Sequence, residues 1–560
     1  MGAEAGLKSR WFGEARYEYA IVKQISPIIN ALDPASGRAY RSRLRTEAMQ
    51  GTGNGDTVVF LPFRINPGAS WFELVLARAF RARGYLPLIG LGERSVRLTD
   101  GYLVSDRRLR TRALNLFRSD GYVRSFGEVP LHFDTLLGKA CLAQLRSEAR
   151  SAPLGRIADY RKYDVDIGRH VVSSLCRYFL CSTVELDKNE AVAREFLFTA
   201  IVSVEAARKI HKTYNPRLLI SSHGIYASWG SFCDYFKSVN RPFVTWGFQY
   251  RNNAVLMSHN QSYHENMITE DTRLWRDAGL GQSEREDVLE YILKKGSASH
   301  SDNIDYYQGA DRIKSTAREL LGIERDRTVF GMFPNLGWDA QISFKPKFFK
   351  SMNAWLIDTV RWFADRPDLE LIIRAHPAER RAGFETREKT ADILRSTFDT
   401  LPANVHIIAP EASISSYDVL AEARSALVFG SKFGLEAAIQ GKPVVTAGEA
   451  YFSGKGISFD PNSKDNYFEL LDRVAKGLLP TSDMIETAVR FGYHYHVRRQ
   501  MIVPLADMQG PKFVDYRFSD ENALLPGATP ELDHLIECCL SGDPFYALGA
   551  APHSLQASQA

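Results

Sequence analysis

Residues 426–447 read ALVFGSKFGLEAAIQGKPVVTA, and this stretch is the clearest indication of the fold. A short apolar run is followed by a polar loop, an amphipathic helix pattern and a second apolar run. Two strands that are joined through a helix run parallel, because a crossover of this length returns the chain to the same end of the sheet. The stretch therefore predicts one βαβ unit of an α/β sheet.

The same alternation continues on both sides of this unit. Strands are predicted at 328–333, 369–374, 405–409, 426–429 and 443–447. Helices are predicted between them at 346–364, 387–398, 416–423 and 434–440. Five strands that alternate with helices form a Rossmann-like sheet.

A second alternating segment lies earlier in the chain. TVVFLPF at 57–63 and YLPLIGL at 85–91 are strands on either side of a helix, and strands return at 216–248 after the mainly helical stretch 107–214. The expected layout is an amino-terminal extension (1–50), a first Rossmann-like domain with a helical insertion (51–283), a linker (284–313), a second Rossmann-like domain (314–483), and a crossover helix with a tail (484–560).

The composition argues against several classes of protein. The 560 residues carry 70 Lys and Arg against 66 Asp and Glu, a net charge of +4 without a long basic block, so no nucleic-acid partner is expected. The six cysteines lack CxxC spacing, which argues against a zinc site or a disulfide framework. No signal peptide and no run of about 18 apolar residues is evident. We expect a cytoplasmic protein. The arginine-rich segment that starts at 107–110 is expected to form a solvated helix face, and peripheral membrane contact is the alternative.

Polar side chains cluster in the loops that follow strands of the second domain, where open α/β sheets bind ligands. In the first of these loops, Asn335 and Asp339 are placed to meet an anionic ligand, and a helix cap is the alternative role for Asp339. In the second, Arg374 and His376 can donate to phosphate oxygens, and Pro377 fixes the backbone beside them. A histidine before proline is also common in plain turns.

The third loop has the composition of a phosphate-binding turn. Ser431 and Lys432 bring a hydroxyl and an ammonium group to the start of a helix, and Gly434 lies in the first turn of that helix. Glu436 follows at a position from which it can accept from sugar hydroxyls, although the helix dipole alone also favours a glutamate there. The Walker order of residues is absent.

Further candidates lie beyond the last strand and in the first domain. Tyr451 and Lys455 follow the strand at 443–447, and a solvated surface lysine is the alternative for Lys455. Arg64 lies in the turn after the first strand of the chain, at the mouth of the first sheet.

Taken in order, PNLGWDAQ (334–341), RAHPAE (374–379) and FGSKFGLEAAIQGKPVVTAGEAYFSGKG (429–456) resemble the capsule polysaccharide biosynthesis glycosyltransferases. HGIYASWG (223–230), which contains Tyr226, resembles a stretch of their first domain. The resemblance implies the GT-B architecture, in which two Rossmann-like domains face each other. The second domain then holds a nucleotide-sugar donor and the first holds the acceptor, with Arg64 and Tyr226 on the acceptor side.

The resemblance also implies roles for individual residues. In related bacterial sialyl- and Kdo (keto-deoxy-octulosonate) transferases, a His-Pro pair and a serine loop hold a cytidine nucleotide, and these correspond here to His376, Pro377 and Ser431. Lys432 departs from the Ser-Ser or Ser-Thr pattern of that loop, and a lysine adds charge against a diphosphate as readily as against a monophosphate.

The expected activity is glycosyl transfer to a capsule, lipopolysaccharide or other surface glycan, with Kdo from CMP-Kdo as the favoured donor. No tightly bound cofactor is expected, and no DxD motif indicates a metal. The candidate bases are His223, after a first-domain strand, and Glu73, at the start of the first helix, since a base must reach the acceptor hydroxyl. The alternatives are transfer of another sugar or a polyol phosphate, a GT-B epimerase, and a non-catalytic protein that binds glycans or an export complex.

Overall fold

The structure is a computed structural model that describes residues 55–62, 67–92, 121, 123, 124, 126–249, 251, 253–295, 316–340, 346–380, 385–505, 507–509, 512–515 and 521–550. Arg64 and the arginine-rich segment at 107–110 lie outside the described residues, so their predicted roles stay predictions. None of the described helices is long and apolar enough to cross a membrane.

The amino-terminal half of the chain forms a sheet with helices on both faces. Its elements are β1 (Thr57–Phe60), α1 (Pro67–Ala82), β2 (Leu86–Leu91), β3 (Pro130–His132), α2 (Phe133–Leu137), α3 (Lys139–Ser151), β4 (Arg161–Lys162), β5 (Val165–Asp166), α4 (Gly168–Phe179), α5 (Glu190–Tyr214), β6 (Leu218–Ser222), α6 (Ser231–Ser238), β7 (Phe243–Phe248), β8 (Ala254–His259), α7 (Tyr263–Thr269), α8 (Arg273–Arg276) and α9 (Gln282–Lys295).

The second half repeats the strand and helix alternation and then returns to the first sheet. Its elements are α10 (Ala317–Leu321), β9 (Thr328–Phe333), α11 (Met352–Ala364), β10 (Leu369–Arg374), α12 (Thr390–Thr397), β11 (Val405–Ile408), α13 (Ser416–Glu422), β12 (Ser425–Val428), α14 (Phe433–Ile439), β13 (Val444–Thr446), α15 (Lys464–Ala475), α16 (Ser482–Tyr493), β14 (Met501–Ile502), β15 (Asp507–Gln509), β16 (Lys512–Asp515) and α17 (Pro530–Ser541).

The first sheet has the strand order β14-β8-β7-β6-β1-β2-β3. Neighbours from β7 to β3 pair in parallel, whereas β8 and β14 are antiparallel to their neighbours. Helices α1 and α17 pack on one face of this sheet, and α2 to α6 form the core on the other. Helix α5 is buried over most of its length because it packs against α3 and α4, which belong to the helical insertion, and against α6.

The carboxyl-terminal segment belongs structurally to the first domain. Strand β14 extends the first sheet at its β8 edge, and α17 places Leu532, Leu535 and Ile536 in the core beside α1. The chain therefore crosses back from the second domain, as the helical pattern after residue 484 indicated.

The second sheet is entirely parallel, with the order β11-β10-β9-β12-β13. The predicted strands at 328–333 and 369–374 have the observed bounds, and the other three are displaced by one residue at most at each end. Helices α12, α13 and α14 also start or end within a few residues of their predictions. The α/β fold class is confirmed, and the two sheets with a carboxyl-terminal crossover form the GT-B arrangement.

The stretch predicted as a linker contains regular structure in its first part. Residues 284–295 belong to α9, which buries Val288 and Ile292 against α16. The helix was not predicted because only two of its 14 residues, Val288 and Ile292, are apolar and buried, so the pattern resembles a polar connection. Residues 296–315 lie outside the described part of the chain, and the domain boundaries themselves stay predictions.

Two π-helical segments interrupt the ordinary helices near the boundary between the domains. Residues Tyr226–Gly230 precede α6, and His494–Arg498 continue α16. Such segments are rare and occur often at functional sites, because they turn side chains away from the regular helical spacing. Both carry residues that take part in the cleft described next.

Candidate functional site

The candidate site lies where the two domains meet, at the carboxyl ends of their parallel strands. Arg177 of α4 in the first domain donates to Asp339, which follows β9 in the second domain, over 2.5 Å. The same guanidinium lies 4.8 Å from the ring centroid of Trp338. The Asp339 side chain is still 49% exposed, so its carboxylate faces the open cleft while Arg177 holds it.

A second contact across the domains is made by histidine and tyrosine side chains. His223, after β6, is 2.6 Å from the Tyr263 hydroxyl through Nδ1, and His264 is 2.6 Å from the Tyr451 hydroxyl through its own Nδ1. The rings of His223 and His264 stack with 6.2 Å between their centroids. Tyr451 comes from the loop after β13, so this network connects the first domain to the second.

The backbone at this junction is held in unusual conformations. His223 has a φ of 56°, Tyr226 has a φ of 72°, and Ala340, next to Asp339, has a φ of 49°. Left-handed backbone is costly for residues other than glycine and is found often at functional sites. Strain therefore concentrates on both sides of the cleft.

His376 lies in the cleft as an uncharged ring. Burial lowers its pKa to about 4; Asp339 opposes this shift, and Arg374 and Lys432 add to it. The Ala378 amide donates to Nδ1 of His376 over 3.1 Å. The neutral ring therefore carries its proton on Nε2, which makes that nitrogen a hydrogen-bond donor at neutral pH.

His264 is uncharged for the same reason. Burial lowers its pKa to about 4, and Asp339 again opposes the shift. Asp339 thus acts electrostatically on a histidine from each domain. The carboxylate and the two imidazoles share one region of the cleft.

The loop after β12 is surrounded by positive charge. Glu436 is 2% exposed and accepts from Lys295 over 2.8 Å, and Lys432 lies 3.8 Å from the same oxygen. Tyr417 donates to the other carboxylate oxygen. Burial opposes ionisation of Glu436, yet the charges of Lys295, Lys432 and His496 lower its pKa to about 2.

Glu436 therefore differs from its predicted role. Its carboxylate is enclosed by protein donors, so we assign it to holding the lysines in place instead of accepting from sugar hydroxyls. Ser431 is half-buried and accepts from the Phe433 amide at the start of α14. The Lys432 side chain is 21% exposed, whereas its ammonium nitrogen is buried beside the loop.

Arg374 also differs from its predicted role. It is 1% exposed, and its guanidinium donates to the carbonyls of Ala375 at 2.8 Å and Ala409 at 2.6 Å. Longer contacts reach the carbonyls of Pro410 and Ala412. The guanidinium thus fixes the loop after β11 to the end of β10, which is a structural role and not a phosphate contact.

The remaining second-domain candidates serve mainly to shape the loops. A Cβ on Gly434 would lie 2.4 Å from Phe452, so close packing requires this glycine. Lys455 is 4% exposed and donates to the Ile268 carbonyl over 2.7 Å, which differs from both the solvated and the donor-binding interpretation. Pro377 begins a short 3-10 turn, and Asn335 accepts from the Leu336 amide.

In the first domain, the two candidate bases have different surroundings. His223 is half-buried at the cleft, whereas Glu73 is 1% exposed and accepts from the Trp246 indole over 2.9 Å. Tyr226 is buried with Arg177 near its ring. The structure thus brings His223, Asp339, His376 and Lys432 towards one cleft, and it leaves Glu73 in the core of the first domain.

Several cleft residues were missed by the sequence analysis. They are Arg177, Arg251, His264, Lys295 and His496. Arg251 and His264 lie on either side of β8, a strand that the sequence analysis did not predict. Arg177, Lys295 and His496 come from the helical insertion, the predicted linker and the crossover.

Residues 288–483 match a family model described as "Capsule polysaccharide biosynthesis protein". The resemblance to this family is confirmed over these residues. The matched segment includes every donor-side candidate from Asn335 to Lys455. Among curated proteins, no sequence matches the chain.

Solved structures similar to this chain include two from Thermosulfurimonas dismutans KpsC. Its beta Kdo 2,4 transferase is 9% identical over 49% of this chain and 79% of that chain, with a TM-score of 0.33. Its beta Kdo 2,7 transferase is 13% identical over 59% and 89%, with a TM-score of 0.32. The UDP-GlcNAc 2-epimerase of Neisseria meningitidis is 10% identical over 78% and 95%, with a TM-score of 0.25.

The structural role of Arg374 is open to a direct test. Arg374→Met removes donors from buried carbonyls and is expected to lower the free energy of unfolding by about 2–4 kcal/mol. The matched control is Arg380→Met, six residues along, because Arg380 forms a surface pair with Glu411 in which both side chains are 54% exposed. That variant is expected to change stability by less than about 1 kcal/mol. Equal effects in urea denaturation of the two variants would contradict the assigned role.

The neutral histidines predict a loss of stability in mild acid. The unfolded chain protonates His376 near its ordinary pKa of 6.5, whereas the folded protein does so near 4. The unfolded state thus binds more protons between these values, so the histidine's contribution is full above pH 6.5 and is lost as the pH falls towards 4. Denaturation at pH 7.0, 5.5 and 4.5 should show a smaller decline for His376→Gln than for the wild type. Parallel declines would contradict the low pKa.

Proposed function

We propose that the protein is a glycosyltransferase that uses a nucleotide-sugar donor to extend a capsule or related surface glycan. The observation that carries this proposal is the convergence of His223, Asp339, His376 and Lys432 on one cleft between two Rossmann-like domains. In that position, groups from the second domain can hold a donor while groups from the first reach an acceptor. The confirmed resemblance over residues 288–483 supports the same assignment.

The donor phosphate is proposed to bind beside the loop after β12. Lys295 and Lys432 lie beside Glu436, and Arg251 acts together with both lysines on the neighbouring His496. Three positive charges thus face one negative charge, and because buried charges are costly unless they are balanced, an anionic ligand is favoured beside this loop. Ser431 adds a hydroxyl at the same loop.

His376 and Lys432 are proposed to stabilise the departing phosphate. Charge develops on that group as the bond to the sugar breaks, and donors that are already in place act without reorganisation. His376 offers Nε2–H as a neutral donor, and Lys432 offers a fixed charge. In enzymes with a DxD motif, a divalent ion stabilises the charge on the departing phosphate. Because His376 and Lys432 can stabilise it here, we propose that no metal or other cofactor is required.

His223 is the favoured base for the acceptor hydroxyl. The role requires Nδ1–H of His223 to donate to the Tyr263 hydroxyl, which leaves Nε2 free of a proton. Glu73 is less suitable because its carboxylate lies in the core. Tyr226 is buried beside Arg177 on the same side of the cleft and is proposed to contact the acceptor.

The favoured donor is CMP-Kdo, on the strength of the His376, Pro377 and Ser431 pattern. Lys432 makes a diphosphate donor the main alternative, either for another sugar or for a polyol phosphate. The acceptor is proposed to be a growing glycan or glycolipid on the cytoplasmic face of the membrane. An epimerase of the same architecture would convert a nucleotide sugar without any acceptor.

Thermal unfolding with CMP, CDP, UDP and GDP tests the donor site. A nucleotide at about 100 times its dissociation constant adds roughly 2.7 kcal/mol to the stability of the folded protein. We expect CMP to give the largest shift and His376→Ala to lose it. The control is His406→Ala, because His406 lies on β11 and bonds Glu370 away from the cleft, so this variant should keep the shift.

The other outcomes separate the alternatives. If CDP or UDP raises the unfolding temperature and His376→Ala abolishes this rise, the donor site is where we propose it, but the donor carries a different nucleotide. A shift that survives His376→Ala would place the nucleotide elsewhere. No shift with any nucleotide would favour a non-catalytic protein, and nucleotide release without an acceptor would favour an epimerase.

A further inference from the structure

A separate cavity opens on the far side of the loop that carries His223. It has a volume of about 140 Å³ and is lined by residues of both domains. Gly224, which follows His223, lies on its wall, and Glu449 reaches it from the second domain, two residues before Tyr451. The cavity therefore adjoins two elements of the cleft network, and its lining does not include the loops after β9, β10 and β12.

The size of this cavity limits its ligand. Sites for drug-sized ligands are larger, at about 300–1,000 Å³. The cavity is therefore of a size for one small ring.

Part of the charge in the cavity is already committed within the protein. Asp234 accepts from Arg169 over 2.6 Å and lies 2.7 Å from Nε2 of His170. Burial opposes ionisation of Asp234, but His170 and Arg169 lower its pKa to about 2. Asp166 and Glu265 also act electrostatically on Arg169, although neither forms an ion pair with it.

Other polar groups in the cavity are uncommitted. In the part of the chain that the structure describes, the side chains of Lys237, Glu265 and Glu449 form no ion pair and no hydrogen bond with other side chains. Glu265 and Glu449 are half-buried, and Lys237 is exposed at the rim. Gln261 adds an amide to the same wall.

These uncommitted groups carry a net charge of −1. Two carboxylates repel an acidic ligand, whereas they accept strongly from hydroxyl groups, since hydrogen bonds to a charged partner are about twice as strong as neutral ones. The amide of Gln261 and the ammonium of Lys237 supply donors for hydroxyl oxygens. This combination fits an uncharged ring with several hydroxyls.

We propose that this cavity is a subsite for one uncharged sugar unit of the acceptor, an inference that rests on the proposed glycosyltransferase function. An acceptor that carries a neutral hexose near its reacting end would then be selected. Glu265 and Glu449 would determine this specificity. Because Glu449 belongs to the second domain, a sugar bound here contacts both domains.

Ligand-observed NMR titrations of the full chain test the subsite. The probes are methyl glucoside, methyl galactoside and methyl mannoside, with methyl glucuronoside as the acidic counterpart, each with and without CMP. The variant is Glu265→Gln with Glu449→Ala, which removes both free carboxylates. The matched control is Glu286→Gln with Glu290→Ala, which removes two carboxylates from the exposed side of α9.

At least one neutral glycoside is expected to bind the wild type and the control, and to bind the cavity variant at least tenfold more weakly. Methyl glucuronoside is expected to bind more weakly than its neutral counterpart. Equal binding to the cavity variant, preference for the glucuronoside, or no binding of any neutral glycoside would overturn the proposal. The companion measurement is thermal unfolding of each variant with and without CMP. If CMP still raises the unfolding temperature of a variant that no longer binds the glycoside, the subsite is wrong but the proposed nucleotide site still stands.

Discussion

Every strand of the second sheet runs in the same direction, and this single constraint brings the candidate donor residues together. The loops after β9, β10, β12 and β13 all leave the sheet at one edge, so Asp339, His376, Lys432 and Tyr451 meet although they are far apart in sequence. The first sheet supplies His223 from an equivalent edge. The contacts from Arg177 to Asp339 and from His264 to Tyr451 hold these two edges against each other.

The electrostatics of the cleft follow from this arrangement. Protein from both domains surrounds His264 and His376, so both rings are neutral at pH 7, and the nearby carboxylate of Asp339 is balanced by Arg177. At the loop after β12, Glu436 pairs with Lys295 of α9 and lies close to Lys432. The cleft therefore combines neutral donors with an excess of positive charge, which is suited to a leaving phosphate.

The sequence was a good guide where local pattern determines structure. The strands of the second sheet were predicted almost to the residue because they are continuous apolar runs between polar loops, and burial on both faces leaves no other arrangement. The residues at their carboxyl ends followed from topology alone. The motif resemblance added the donor side of the site.

The sequence was a poor guide where a role depends on partners distant in the chain. Arg374 has the chemistry of a phosphate ligand, but its guanidinium is oriented by hydrogen bonds to backbone carbonyls of the loop after β11. Lys295 pairs with Glu436 across 141 residues, and no local pattern could join a polar stretch to a buried carboxylate. Arg177 belongs to a helix of the insertion, so its contact with Asp339 emerges only when the domains are placed together.

Hydrogen–deuterium exchange of the wild type with and without CMP tests the central claim, that both domains build one nucleotide-dependent site. Bound nucleotide reduces local opening of the backbone that it orders, so protection reports where it lies. The account predicts protection of the loops after β10 and β12 together with the first-domain loop at His223. Protection confined to the first domain, or to parts of the second domain away from its carboxyl edge, would contradict it.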